Sequence, residues 1–284
     1  MRHRFLVLGA SGLVGGCVMR LLRQHGYTVA GASRQRTGDG WRRFDLLDPA
    51  THAAALEGMT GVLLLSRPGD EEAHNHAEPL VSAMQEAGVR RVVVLSALGA
   101  ERRPDFSLRK VERLVEASGL EWVHVRPNFF MQMLTRPPLV TEINAHRSLS
   151  LPLGDAAIAY VDARDVAELA FTALTDPALT GRGIDVSGPE AFTQRAIAER
   201  IGRLLGEPVR FVDIPEDSAR VSLLERGLPR PQAERVLQFY SLCRMGMCAK
   251  PDADGVVAGL LGRPLGMLDD FLAANRSAWN STMS

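Results

Sequence analysis

The stretch Phe5-Leu-Val-Leu-Gly9-Ala-Ser11-Gly12-Leu13-Val-Gly15 constrains this chain more than any other. A short apolar run leads into glycines at 9, 12 and 15, and an amphipathic segment, Leu13–His25, follows at once. That succession reads as strand, tight turn and helix start. Glycine permits the turn and lets a ligand approach the backbone. The helix that follows offers free N–H groups and the positive end of its dipole, a natural seat for the pyrophosphate of a dinucleotide. A lone glycine pattern is weak evidence, whereas one that ends a strand and opens a helix carries weight. Gly16 adds room for helix–sheet packing.

The rest of the first half keeps the alternation. Apolar runs at Thr28–Ala32, Arg42–Phe44, Val62–Leu65, Val92–Leu95 and Trp122–Val125 predict further strands buried on both faces. Helical patterns lie between them at Pro49–Glu57, Glu72–Ala87 and Leu108–Ser118. The expected fold is α/β, a doubly wound parallel sheet (Rossmann) with a smaller, mainly helical C-terminal lobe that covers a substrate. The expected division is 1–127, with 156–188 returning to it, against 128–155 and 189–284. Residues Asn128 to about Asp155, with Pro137, Pro138, Pro152 and Gly154, read as loop-rich. Helices are expected at Asp162–Leu174, after Thr193, and at Ser218–Glu225, Gln232–Arg244, Gly255–Leu261 and Leu268–Trp279, with a strand at Gly183–Ser187.

Composition narrows the class of partner. Hydrophobic residues make up 46% and charged ones 23%, with zero formal net charge, so no concentrated basic face is available for nucleic acid. No apolar run approaches the roughly 20 residues that span a bilayer. The basic, apolar start resembles a secretory signal, but glycines interrupt it where a dinucleotide turn requires them. Cys17, Cys243 and Cys248 are too few for a disulfide framework, so a cytoplasmic location is expected. The expected partner is a small-molecule substrate, with the protein a monomer or homodimer and neither nucleic acid nor membrane bound. No metal is expected: His74 and His76 point to different helix faces, and the two later cysteines lack further ligands at zinc spacing.

The end of the second strand discriminates between cofactors. It offers Ser33 and Arg34, with Arg36 close by and no carboxylate before Asp39. A guanidinium fork beside a hydroxyl suits the 2′-phosphate of NADP(H), where an acidic residue would instead hold the ribose of NAD.

The Gly-x-x-Gly-x-x-Gly spacing resembles that of the extended and atypical short-chain dehydrogenases/reductases. Further segments are similar to the NmrA-like branch, which includes quinone, azo-dye and triphenylmethane-dye reductases and redox-sensing regulators. They include Phe44-Asp-Leu-Leu-Asp-Pro49, Leu63-Leu-Leu-Ser66, Ala87-Gly-Val-Arg-Arg-Val-Val-Val-Leu-Ser96, Val125-Arg-Pro-Asn-Phe-Phe-Met131 and Tyr160-Val-Asp-Ala-Arg-Asp165. The resemblance implies that Asp45 and Leu46 edge the adenine and that Leu65, Ser66 and Arg67 flank the adenosine and pyrophosphate. It also implies that Ser96, Ala97, Pro127 and Asn128 lie at the nicotinamide end, with Asn128 and Ser96 as the candidate catalytic residues. Each of these positions ends a predicted strand, where open α/β sheets bind ligands, although Asp45 and Ser66 equally suit turns and caps.

One absence is firm. The residues four beyond Tyr27, Tyr160 and Tyr240 are Gly31, Arg164 and Arg244, so no Tyr-x-x-x-Lys pair exists to protonate a ketone oxygen. Leu108 stands where NmrA-like reductases often place a histidine, four residues before the glutamate that matches Glu112. The expected activity is therefore hydride transfer from NADP(H) to a flat conjugated molecule that needs no strong acid, such as a quinone. A non-catalytic NADP(H) sensor and a non-redox isomerase or cyclase are the alternatives. Phe129, Phe130, Met131 and Tyr160, with Met133, Phe239 and Tyr240 nearby, are the expected substrate wall.

Overall fold

The computed structural model describes residues 3–67, 69–252 and 254–279. Two compact units emerge, Met1–Pro127 with Ala163–Val186, and Asn128–Asp162 with Ser187–Ser284. The stretch that rejoins the sheet unit is thus narrower than the expected 156–188.

The first unit is built on strands β1 (Arg4–Val7), β2 (Thr28–Ser33), β3 (Trp41–Arg43), β4 (Gly61–Leu65), β5 (Arg91–Leu95) and β6 (Glu121–Pro127). They form one sheet in the order β3-β2-β1-β4-β5-β6, and Arg182–Val186 closes the far edge beside β6. Every pairing is parallel, with registers such as Phe5 opposite Val29 and Leu63 opposite Val93. The order reverses between β1 and β4, and the carboxyl ends of those two strands border the crevice where such sheets take their ligands. Helices α1 (Leu13–Gln24), α2 (His52–Leu56), α3 (Ala73–Glu86) and α4 (Ser107–Glu116) make the crossovers, joined by Ala163–Thr175. Leu6, Val62, Leu64, Val92 and Val94 are almost wholly buried with Leu80, Met84, Val111 and Val115 from α3 and α4. That explains the unbroken apolar character of the strands.

The second unit is mainly helical around Ile143, Leu149, Ile158, Ile197, Ile201, Phe271 and Trp279. Thr193 caps Gln194–Leu205 by accepting the Ala196 N–H at 3.2 Å. The expected loop of 128–155 is more ordered than its prolines suggest: it holds helix Leu139–His146 and strand Ser148–Leu151. Pro138 occupies the N-cap, so the proline pair starts that helix and breaks nothing. The strand pairs in parallel with Arg210–Asp213. Although the three cysteines are too few for a disulfide framework, Cys243 and Cys248 are buried and joined as a disulfide. Among the described residues no helix is long and apolar enough to cross a membrane.

Candidate functional site

The turn after β1 is held by one contact: the Gly12 N–H donates to the Gly9 carbonyl at 2.8 Å. Gly9 has φ +61°, a left-handed conformation that glycine adopts without strain. Gly15, inside α1, packs against that same carbonyl so closely that a Cβ there would lie 2.4 Å from the Gly9 oxygen. Gly9 and Gly12 therefore shape the turn, and Gly15 lets the helix close down on it. Gly12 is the N-cap of α1 and supplies no side-chain cap, which leaves the first-turn amides available to an anion.

An open groove of about 630 Å³ runs over this turn. Gly9, Ser11, Gly12, Ser33, Arg34, Asp45, Leu46, Leu65, Ser66 and Arg67 all line it. Leu13 and Gly15 lie outside that lining. Gln35, Trp41 and Leu47, which no motif in the sequence marks, also line the groove with Arg36. Trp41 carried a usable signal, since Arg36 lies over its ring with the guanidinium carbon 4.8 Å from the centroid.

The groove's electrostatics favour an anionic ligand. Arg34, Arg36 and Arg67 line it against a single carboxylate, that of Asp45. Asp45 Oδ1 accepts the Leu47 N–H at 3.1 Å, the Asx turn that was the alternative for this residue. Ser33 Oγ accepts the N–H groups of Gln35 and Arg36 at 3.2 and 3.0 Å, which fixes the loop carrying the arginines. Ser66 Oγ is buried with no hydrogen-bond partner among the described residues. An orphaned hydroxyl at the carboxyl end of β4 costs stability unless a ligand satisfies it. A glycine turn, uncapped amides, three cations and one unsatisfied donor together fit a phosphorylated dinucleotide.

The expected nicotinamide-end residues are arranged differently. Ser96 is turned into a buried ion network, close enough to Glu112 to help hold its charge but outside hydrogen-bond geometry. Glu112 is fully buried and takes a bidentate fork from Arg126, Nε at 2.8 Å and Nη2 at 2.9 Å. Arg109 adds a bond at 2.8 Å and reaches on to Glu116, whose oxygen lies 3.2 Å from His124 Nε2. Burial works to raise the Glu112 pKa, but these hydrogen bonds win and hold it below the usual carboxylate range. His124 goes the other way: burial outweighs Glu112 and Glu116 and depresses it to about 4. The ligand atoms of Glu112, Glu116 and His124 lie within 4.8 Å of one another. Arg109 and Arg126 already occupy the carboxylates, so the cluster is a structural ion network that ties α4 to β6. Ala97 and Pro127 stand outside the groove lining; the Pro127 carbonyl accepts the Leu98 N–H at 3.0 Å.

Asn128, expected to orient nicotinamide or acceptor, is 3% exposed and fully used within the second unit. Its Nδ2 donates to the Cys248 carbonyl at 2.9 Å and the Ser187 hydroxyl at 3.3 Å, while Oδ1 accepts the Phe129 N–H. It is a clamp on its neighbours, with no donor left over. Neither Ser96 nor Asn128 lines the groove: Asn128 is spent on bonds within the second unit, and Ser96 Oγ is buried beside Glu112 with no hydrogen-bond partner among the described residues.

Of the expected substrate wall, Phe129 and Tyr160 line a cavity of about 260 Å³ inside the second unit, together with Met133 and Tyr240. The Phe129 ring lies 5.9 Å from that of Tyr160 and 5.0 Å from that of Phe239. Met131 is buried in the core, and Phe130 is taken up in a bridge to Val161, so neither lines the cavity. The Tyr160 hydroxyl donates to Gln194 Oε1 at 3.1 Å, and burial pushes its phenol far up, which removes it as an acid.

A family model described as NAD(P)H-binding matches residues 9–177. The chain is similar to the (4-alkanoyl-5-oxo-2,5-dihydrofuran-3-yl)methyl phosphate reductase of Streptomyces griseus, 35% identical over 286 residues, with 96% of this chain and 98% of that one covered. It is also similar to the NAD(P)H azoreductase of Xenophilus azovorans, at 29% identity with 97% and 99% covered. Among solved structures, the Citrobacter sp. triphenylmethane reductase complexed with NADP(H) shares the fold, with a TM-score of 0.83 at 18% identity and 96% and 99% covered.

Proposed function

The chain belongs to the NAD(P)H-binding family, and on that premise we propose that it is an NADPH-dependent oxidoreductase acting on a flat, electron-poor, conjugated small molecule. The observation that carries the reading is the arginine-lined groove over the glycine turn, with Arg34 and Arg36 at the end of β2 and only Asp45 to oppose them. In that groove the Gly9 turn and the α1 amides would hold the pyrophosphate, Ser66 Oγ would add a donor, and Arg34 would pair with the 2′-phosphate. When bound, the cofactor would supply a hydride.

The chain's own residues restrict what can receive that hydride. No Tyr-x-x-x-Lys pair is present, the buried Tyr160 phenol already donates to Gln194 and is a weaker acid than a free one, Asn128 Nδ2 is spent on Cys248 and Ser187, and Ser96 Oγ is buried. A simple ketone needs a proton at its oxygen as hydride arrives. A quinone or an unsaturated lactone spreads the incoming charge over its conjugated carbonyl and can take its proton from water. The relatives that reduce a dihydrofuranone phosphate and azo compounds support that class of acceptor. Phe129 and Tyr160 offer flat faces against which such a ring can stack.

The test is NADPH absorbance decay across a panel of quinones, unsaturated lactones and simple ketones, with and without protein. Conjugated acceptors should be reduced faster than in free solution, since positioning alone contributes several kcal/mol, and ketones should not. Acceleration by no conjugated acceptor, or efficient turnover of a simple ketone, contradicts the reading.

A further inference from the structure

The cavity of the second unit combines apolar walls with charged side chains. Its wall is apolar, with Leu139, Leu151, Leu153, Ile214 and Leu223 beside Phe129. Three charged side chains also line it: Arg136, Arg226 and Glu142. Glu142 is occupied, because the Ser148 and Ser150 hydroxyls both donate to its Oε1. Neither arginine forms an ion pair among the described residues. Arg226 uses only Nε, which donates to the Ser222 carbonyl of its own helix at 3.0 Å, and leaves the outer fork free. Its charge is felt inside the cavity: burial pushes the Tyr240 phenol up, and Arg226 pulls it back.

Two exposed guanidinium groups line this apolar cavity of about 260 Å³, and Glu142 is the one carboxylate in the lining with them, which leaves the lining one counter-charge short. They are also suited to one, since a guanidinium fork matches a phosphate or carboxylate with charge-assisted bonds. The volume is near the lower limit for small-molecule pockets, roughly 300 Å³, and excludes a macromolecular segment.

We propose that this cavity binds a small amphiphilic anion, its phosphate or carboxylate held by Arg136 and Arg226 and its apolar body seated against the leucines and Phe129. That the anion is a substituent of the acceptor rests on the reductase reading; the anion site itself does not. An acceptor held by its charged end has its conjugated part fixed by an interaction remote from the reacting atoms, which serves orientation.

The experiment is calorimetric titration of the full chain with octyl phosphate, octanoate, octan-1-ol and inorganic phosphate. Octyl phosphate and octanoate should bind at least ~10-fold more tightly than octan-1-ol, and inorganic phosphate should bind more weakly than octyl phosphate, as charged hydrogen bonds plus apolar burial require. The double variant Arg136→Gln/Arg226→Gln should lose ~10-fold or more for the two anions and little for the alcohol. Arg136→Lys/Arg226→Lys, which keeps the charge, should recover part of that loss. Thermal midpoints of both variants identify any that fail to fold, and the lysine variant then carries the comparison. Octyl phosphate binding no tighter than the alcohol, anion affinity unmoved in the glutamine variant, or inorganic phosphate equalling octyl phosphate would each overturn the proposal. The two readings fail separately. NADPH oxidation by conjugated acceptors without octyl phosphate binding sinks the anion site alone, and octyl phosphate binding without any NADPH oxidation sinks the reductase reading alone.

Discussion

Gly15→Ala isolates the turn from the rest of the fold. The new Cβ would lie 2.4 Å from the Gly9 oxygen, 2.8 Å from the Gly9 carbon and 3.0 Å from the Leu8 oxygen, where ordinary contact begins at 3.4 Å. Relief requires a shift of about 1 Å between α1 and the turn, an overpacking that costs roughly 1–3 kcal/mol. The displaced groups are the Gly9 carbonyl and the first amides of α1, and those amides are the proposed seat of the pyrophosphate, so the cost should appear as affinity: about 5-fold to about 150-fold weaker NADPH binding. Gly16→Ala is the matched control. Its Cβ would sit 3.3 Å from the Ala10 oxygen, a contact met by a few tenths of an ångström, and alanine favours the helix by roughly 1 kcal/mol. Calorimetric titration of NADPH into both variants, with circular dichroism to establish folding, gives the comparison. A folded Gly15→Ala variant that binds NADPH as the parent does would refute the packing account of the turn.

Three further outcomes follow from named side chains. Arg34→Glu should cost NADPH about 10-fold to about 100-fold in affinity, through a lost charged hydrogen bond and a new repulsion, and spare NADH; equal affinities for the two cofactors in the parent protein would remove Arg34 from its role. His124 titrates at about 4 in the fold because burial, helped by the Arg126 charge, outweighs Glu112 and Glu116, and near 6.5 when unfolded. The unfolded chain therefore binds the extra proton first, so stability present above pH ~6.5 falls as the pH drops towards ~4, by on the order of 3 kcal/mol. Urea midpoints against pH should show that slope in the parent and a flatter one in His124→Asn, and identical slopes would contradict it. The Cys243–Cys248 bridge closes a short loop and should contribute roughly 2 kcal/mol, so reduction should lower the thermal midpoint. Thiol titration of the unreduced, denatured chain should find Cys17 alone, and three reactive thiols would show the bridge is not formed.

The sheet and the groove were legible because their determinants are local. Phe5–Gly15 holds strand, turn and helix start within eleven residues, and Ser33 and Arg34 follow directly on the strand expected at Thr28–Ala32. The second unit was less legible because its determinants are distant in sequence. Ser148–Leu151 is ordered by Arg210–Asp213, and four residues of alternation do not announce a strand. Asn128 resembled a site residue from its place after β6, and only its bond to the Cys248 carbonyl, 120 residues on, shows it as a clamp. Ser96 likewise depends on Glu112 and Arg126 meeting beside it. The cavity arginines lie far apart in the chain, at 136 and 226, and nothing in either neighbourhood pairs them.

The central claim, hydride transfer from bound NADPH to a conjugated acceptor, is tested most directly with NADPH deuterated on one face at nicotinamide C4. The protein is incubated with each labelled form and an unsaturated lactone or quinone, and the deuterium is located by mass spectrometry in the reduced acceptor and in the NADP+ left behind. For a lactone, whose new C–H bond does not exchange, one labelled form should give product heavier by one mass unit and the other should give unlabelled product. Label that stays wholly in the cofactor from both forms, or product formed equally without protein, would contradict the account.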